Sequence, residues 1–407
     1  MKNIITSLQE LLLEFCAESL FNKKAECFED ADFVKLVDEA HEQTVLTVVG
    51  PTLKKSAGID VFDDVRFMRQ VTKNAGVCRA HEEIHKVLCD NGVDYVVLKG
   101  VASASYYKQL ALRTMGDVDL LVRKDDLEKC DTLLATLGYS RLGEIDTSKG
   151  HIRYVKREGN LWITCEVHHR INGVPDAMVG IEDKYFKDVF KKAVLYKEPN
   201  STCIIPDKFH HGLVLILHTA THLTSEGIGL RHLCDWAVFI NSFDNQEFVA
   251  TFERALGDFG LWEFAKLISL CCVKYLGCEY KEWMGEADDS IVDEIILDFF
   301  DGGNFGNKDE KRNRQIKYIK NANNKTVDKK SPALQAFHNI DLKAKGRFAF
   351  AKKHKLLRPI GWVLVVCEYV GLVISGRRKP DDLTTVSKAN TRKELYSKFH
   401  LFETDGK

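Results

Sequence analysis

One decapeptide constrains this chain more than any other stretch: Arg113-Thr-Met-Gly-Asp-Val-Asp-Leu-Leu-Val122. Its second half alternates strictly. Asp117 and Asp119 share one face and Val118, Leu120 and Val122 the other, which is the period of a strand with one buried side. Two carboxylates side by side on such a strand repel each other, and burying the pair without compensation is costly. A divalent cation removes that cost, and oxygen ligands suit Mg²⁺. Asp-x-Asp also occurs at solvated strand ends, so the pattern by itself leaves both readings open.

The surroundings of this strand divide the chain by period. Residues 1 to 90 carry helical stripes, among them Leu8, Leu11, Leu12, Phe15 and Cys16, then Phe33, Leu36, Val37 and Ala40. His41, His81 and His85 fall within these stripes and are expected to be surface or packing residues. At Asn91-Gly92 the period changes, and Tyr95-Val-Val-Leu98 is a short apolar run suited to a buried strand. Lys99-Gly100 ends it, and Val101 to Tyr107 can open a helix. A strand passing through glycine into a helix start exposes unpaired backbone N–H groups, a natural phosphate cradle; the plain alternative is a simple turn. No Walker-type Gly-x₄-Gly-Lys run is present.

After the acidic strand, Asp125 and Glu128 predict a capped helix running to Leu137 and ended by Gly138. Two further strands are expected at His151–Lys156 and Leu161–His169, joined by a Glu-Gly-Asn turn. In the second, Trp162, Thr164, Glu166 and His168 share a face, so Glu166 is a third carboxylate able to converge on Asp117 and Asp119. Beyond Pro206 the pattern is helical again. His218 and His222 sit at i and i+4, without the glutamate of a His-Glu-x-x-His site and without a third ligand nearby in sequence, and are read as structural.

Residues 307–355 hold fifteen Lys/Arg against four Asp/Glu. The default expectation there is a solvated, linker-like segment. Leu356 to Ile374 is strongly apolar, slightly short for a membrane span and interrupted by Glu368. It is expected to pack on the helical region with Trp362, Val366 and Val370 buried. The expected organisation is thus an N-terminal helical region at 1–90, a sheet-bearing core at 91–200, a helical domain at 201–306, the basic segment at 307–355, and an apolar helix with a tail at 356–407. A formal net charge of -1 argues against a dedicated nucleic-acid binder. The twelve cysteines include no Cys-x-x-Cys pair, and several, such as Cys130, Cys165 and Cys234, sit in apolar periodic segments, so they read as buried thiols in a reducing, cytoplasmic setting.

With these pieces in place the chain resembles the poorly characterised nucleotidyltransferase-like family of the polymerase-beta-type superfamily, found widely in bacteria. The resemblance is carried by Val97-Leu-Lys-Gly100, Tyr107, Arg113, Gly116-Asp-Val-Asp-Leu-Leu-Val122, Leu137-Gly-Tyr139 and Glu166-Val-His168. It continues through His218 and His222, Leu233-Cys-Asp-Trp236, Gly303-Asn-Phe-Gly306 and the segment Leu356-Leu-Arg-Pro-x-x-Trp362. Two departures stand out: Val101 occupies a position where the superfamily usually has Gly or Ser, and the stretch from there to Asp117 is a little long. The family also often has Asp where Glu166 stands, a conservative change.

The resemblance implies an α+β fold, a small mixed sheet flanked by N- and C-terminal helical regions. It also implies a reaction class: transfer of a nucleoside monophosphate from a nucleoside triphosphate to a hydroxyl acceptor. Asp117, Asp119 and Glu166 would be the catalytic and metal-holding residues of a two-metal site using Mg²⁺, with Mn²⁺ as the alternative. Lys99, Gly100 and Arg113 would hold the nucleotide phosphates; His168, His222 and Arg231 would lie on the acceptor side. Asp119→Ala is expected to leave the fold intact or to relieve repulsion. The competing class is a catalytically silent nucleotide-binding or scaffolding protein on the same fold, placed at a membrane surface by its C-terminal region.

Overall fold

The computed structural model describes residues 5–26, 31–145, 150–199, 201–308, 312–319, 332–375 and 383–403. The protein is α+β, a small mixed sheet enclosed by helices. The sheet comprises β1 (Tyr95–Val97), β2 (Val118–Val122), β3 (Ser140–Leu142), β4 (His151–Glu158) and β5 (Leu161–His168), in the order β1-β2-β5-β4-β3. β2 and β5 run parallel and the remaining neighbours antiparallel. A separate two-stranded ribbon joins β6 (Val194–Glu198) to β7 (Ser201–Ile205).

Every residue of β2 is buried. The 26-residue helix Val65–Asp90 lays Val77, Ala80, Ile84 and Leu88 into the same apolar cluster as Val118, Leu120 and Val122. Truncating a side chain such as Leu120 to Ala would cost about 2–5 kcal/mol. The helix after β2 differs slightly from expectation. It spans Leu127–Thr136 behind a 3₁₀ turn at Lys124–Asp126, and no side chain caps its start. The turn takes up the first acidic residues, so the capping box does not form.

The second, larger core is shared. Leu12 and Phe15 of helix Ser7–Phe21 belong to one cluster with Phe239, Phe252, Phe264 and Phe299 from the helices between residues 208 and 302. Gln43, fully buried, ties these parts together. Its Nε2 donates to the carbonyls of Phe299 (3.4 Å) and Phe300 (3.3 Å), and its Oε1 accepts from the Leu230 N–H at 3.1 Å. That last bond fixes the start of helix Leu230–Ile240, which carries Arg231 and His232.

The C-terminal third departs from the sequence expectation in two ways. The basic segment is not a plain linker, because helices occupy Arg312–Ile319, Pro332–Arg347 and Ala349–Lys353; residues 320–331 lie outside the described part. The apolar helix Arg358–Ile374 does not pack into the core either. Val366 and Val370 are exposed and Trp362 is half-buried. The helix rests on Pro332–Arg347 and Ala349–Lys353 along one side, where Gly361 and Val365 meet Ala344 and Ala351 and Trp362 and Glu368 reach Asp341 and Arg347, and its outer side stays uncovered. The last helix, Leu383–Ser397, does join the main core through Ala389, Leu395 and Tyr396.

Candidate active site

The parallel pairing of β2 with β5 sets Asp119 directly opposite Glu166. Strand alternation then turns both carboxylates toward a cavity of about 600 Å³ between the sheet and the helices Lys208–Leu223 and Leu230–Ile240. Lys99, at the end of β1, reaches across so that its Nζ lies 3.0 Å from Asp119 Oδ1. His168 Nε2 is 3.2 Å from the same oxygen and 3.7 Å from Glu166 Oε2. Glu166 Oε1 accepts two bonds from Arg153, at 2.8 and 3.1 Å.

These charges hold Asp119 and Asp117 in opposite states of ease. Burial works to raise the pKa of Asp119, but Lys99 and then His168 override it and hold the carboxyl well below its ordinary value. Asp117 precedes β2 and is half-buried. Burial raises its pKa, Asp119 and Glu166 add to the rise, and Lys73 and Lys99 oppose it. Asp119 is therefore a stabilised carboxylate. The expectation that removing Asp119 would relieve repulsion transfers to Asp117, because Lys99 neutralises one member of the pair and not the other.

The donor set fits a divalent metal. One ligand atom each from Asp119, Glu166 and His168 lies within 4.8 Å of the other two. Asp119 already draws an ammonium, that of Lys99, against its carboxylate, and the buried His168 Nδ1 has no hydrogen-bond partner. His168 thus lies among the carboxylates, against Asp119 and Glu166. Asp117 lines the same cavity but stands outside that close group.

The loop that precedes β2 is clamped from three sides. Asn74 donates to the carbonyls of Ala111 (3.2 Å) and Arg113 (3.1 Å) and accepts from the Met115 N–H at 2.9 Å. Thr47 Oγ1 donates to the Leu112 carbonyl at 2.9 Å. Arg113 itself makes a two-pronged pair with Asp235, Nε–Oδ1 at 2.8 Å and Nη2–Oδ2 at 2.7 Å, both residues being buried. Its guanidinium lines the cavity but is held by Asp235, to which Tyr107 also donates at 2.8 Å. Gly100 adopts φ 64°, a conformation open to glycine, and leads into a helix of a single turn, Val101–Ala104.

The far wall comes from the helical region. The His218 ring meets His222 edge-on and His232 at a tilt, with ring centroids 4.3 and 5.3 Å away, and Phe305 closes the group. His232, next to Arg231, is the neighbour that the sequence pair lacked. Burial pushes His218 and His232 well below the ordinary imidazole pKa, with Lys99 the next contributor at His218 and Arg231 at His232, so both are neutral near pH 7. His222 is held by Glu226 at 3.2 Å. Arg231 donates to the Thr114 carbonyl at 3.3 Å, while its buried Nε has no partner. Burial, then the nearby Arg113, push its pKa down to about 10, which leaves it cationic at neutral pH.

Sequence reasoning passed over His151 and Arg153, which line the cavity beside Glu166. A signal for them existed. The two-residue turn between Glu158 and Leu161 sets the β4–β5 register, which pairs Arg153 with Glu166 and His151 with His168. Ser103, Asn172, Thr219 and Phe305 also line the cavity and carry no such local signal.

Facing carboxylates on adjacent strands of a small mixed sheet, with cationic side chains beside them and a helical wall opposite, form the candidate site of this α+β fold. The chain belongs to a family described as uncharacterised nucleotidyltransferase, whose model matches residues 29–277. Among solved structures it is similar to an antigenic nucleotidyltransferase-like protein from Paracoccidioides brasiliensis, with 14% identity and a TM-score of 0.33, over 52% of this chain and 94% of that one. No curated protein matches the chain.

Proposed function

We propose that this protein transfers a nucleoside monophosphate from a nucleoside triphosphate to a hydroxyl acceptor. The observation that carries the reading is the Asp119–Glu166 juxtaposition, with Lys99 and His168 against it, on the floor of a cavity large enough for a nucleotide. Asp117, Asp119 and Glu166, with His168 beside them, are the residues to hold Mg²⁺ or Mn²⁺. Bound there, such an ion would favour ionisation of the acceptor hydroxyl and offset the charge of the triphosphate.

The chain's own groups account for the rest of the chemistry. Glu166 takes the proton of the acceptor hydroxyl, whose oxygen forms a bond to the α-phosphorus as the bond to the departing pyrophosphate breaks. Lys99 exchanges its contact with Asp119 for the phosphates. Arg231, whose Nε is unpartnered, is the guanidinium with capacity left for an anionic group, whereas Arg113 positions the loop before β2. The neutral imidazoles of His218 and His232 face the acceptor as hydrogen-bonding groups without charge. The described cysteines are all free and, apart from Cys89 and Cys367, buried, which supports a reducing, cytoplasmic setting.

The test uses the full chain with each of the four nucleoside triphosphates and Mg²⁺, following pyrophosphate release and thermal stabilisation together. At least one triphosphate should raise the melting temperature only when the metal is present. A folded protein that none of the four stabilises or loses pyrophosphate to would overturn the reading.

A further inference from the structure

The outer face of helix Arg358–Ile374 is the largest feature that the site does not use. The most apolar 18-residue stretch of Lys355–Ile374 has a mean hydropathy of 1.7, yet only 11% of that stretch is buried. Leu356, Ile360, Val363, Val370 and Ile374 follow one another at spacings of four, three, seven and four residues, a single stripe at helical period. Their exposure runs from 45% at Val370 to 94% at Leu356. Leu364 and Val366 flank the stripe and are exposed as well. Along the axis it extends about 27 Å at 1.5 Å per residue.

Polar and charged groups lie on the opposite side of the helix. There Gly361 approaches Ala344 and Ala351, and Trp362 Nε1 donates to Asp341 Oδ1 at 2.9 Å. Glu368, the one acidic residue of the helix, pairs with Arg347 on the supporting helix. Asp341 is taken up by Lys345 and Trp362. Residues 332–375 contain seven Lys/Arg and only these two acids, and each of the two is paired with a cation. Lys352, Lys353 and Lys355 are exposed at the foot of the stripe, and among the described residues no ion pair engages them. Beyond the helix the sequence continues with Arg377-Arg-Lys379.

We propose that this stripe and its lysines dock the protein on an anionic membrane surface, with the helix lying in the interface. Aliphatic side chains along one face, cations at its end and acids that are each paired with a cation are what a bilayer with anionic headgroups attracts. A protein partner would be expected to meet a more aromatic, mixed-polarity patch. The helix is long enough to cross a bilayer, but crossing would carry the Arg347–Glu368 and Trp362–Asp341 contacts into hydrocarbon, where charged groups are expensive. Lying flat keeps them above the acyl chains.

The experiment is flotation of the full-length protein with vesicles of neutral phosphatidylcholine and with vesicles containing a third phosphatidylserine. Binding to the anionic vesicles should exceed binding to the neutral ones by at least tenfold and weaken with salt. Val363→Asp with Val370→Asp changes exposed positions only, so it should keep the melting temperature and lower vesicle binding by tenfold or more. Lys352→Glu, Lys353→Glu and Lys355→Glu together should abolish the preference for anionic lipid. No flotation with either vesicle, or flotation unchanged in the valine double variant, would overturn the proposal. So would a concentration-dependent dimer in light scattering that the same double variant dissolves in the absence of vesicle binding; the stripe would then belong to a second copy of the chain.

Discussion

Lys99 and Asp119 are partners, 3.0 Å apart, at the ends of two adjacent antiparallel strands. The pairing separates Asp119 energetically from Asp117 two residues before it. Asp119 has a depressed pKa in the folded chain, so its charge contributes stability above its ordinary value near 3.8, and that contribution is lost as pH falls through the depressed value. Asp117 has a raised pKa, so its charge costs stability at neutral pH, and the cost disappears as pH falls below the raised value. Unfolding at pH 7 without nucleotide should therefore show Asp119→Asn destabilised by about 1–3 kcal/mol and Asp117→Asn unchanged or more stable. The reverse order would show that Lys99 does not neutralise Asp119 in solution.

Glu166 gives the cleanest separation of chemistry from binding. Glu166→Gln keeps the shape but removes the proton acceptor, so turnover should fall by about two to four orders of magnitude, with Mg·nucleotide stabilisation changed far less. Its partner Arg153 is largely exposed, so losing that pair should alter stability by less than about 1 kcal/mol. Full activity in Glu166→Gln with a verified acceptor would remove Glu166 from the mechanism.

Arg113 and Asp235 form a buried pair whose loss should register as stability. Either Arg113→Ala or Asp235→Ala leaves an unpaired buried charge and is expected to cost about 3–5 kcal/mol. Arg113→Ala combined with Asp235→Ala should cost clearly less than the two single losses added together. Chemical denaturation of the four proteins measures this coupling. Additive effects would mean that the pair does not act as a unit.

Arg231 is expected to behave differently from Arg113. Arg231→Lys keeps a cation in the cavity but removes the planar donors, so KM for the anionic substrate should rise by about tenfold. Steady-state kinetics on both arginine variants would reveal the contrast. Equal KM values for wild type and Arg231→Lys would place Arg231 outside the substrate site.

The C-terminal helix is held by a buried cluster. Asp298 Oδ2 accepts from Arg312 and from Tyr396, each at 2.6 Å, and Arg392 donates to Tyr396 at 2.8 Å. Tyr396→Phe should cost about 1–3 kcal/mol. Ending the chain before Leu383 should be markedly more damaging, because it removes Tyr396 and Phe399 from the main core. Thermal melts of the two would rank them, and an equally stable truncation would show that this helix is dispensable to the core.

The sequence alone carried the local features of this protein. Alternation at Val118, Leu120 and Val122 marked the buried strand, and the same period placed Glu166 and His168 on one face of β5. The period change at Asn91 and the return to helices after Pro206 marked the limits of the sheet-bearing part, since side-chain periodicity is set by backbone geometry over a few residues. What the chain could not reveal locally were relations between distant segments. Asp235 claims Arg113 from 122 residues away, and His168 lies against Asp119 across the parallel β2–β5 pairing. The apolar helix Arg358–Ile374 makes the same point in reverse. Its composition fits a buried helix, but burial depends on how much neighbouring surface the fold supplies, and the fold supplies only one side. Charge partners, ligand groupings and the exposure of an apolar face are decided by long-range packing, which hydrophobic periodicity does not encode.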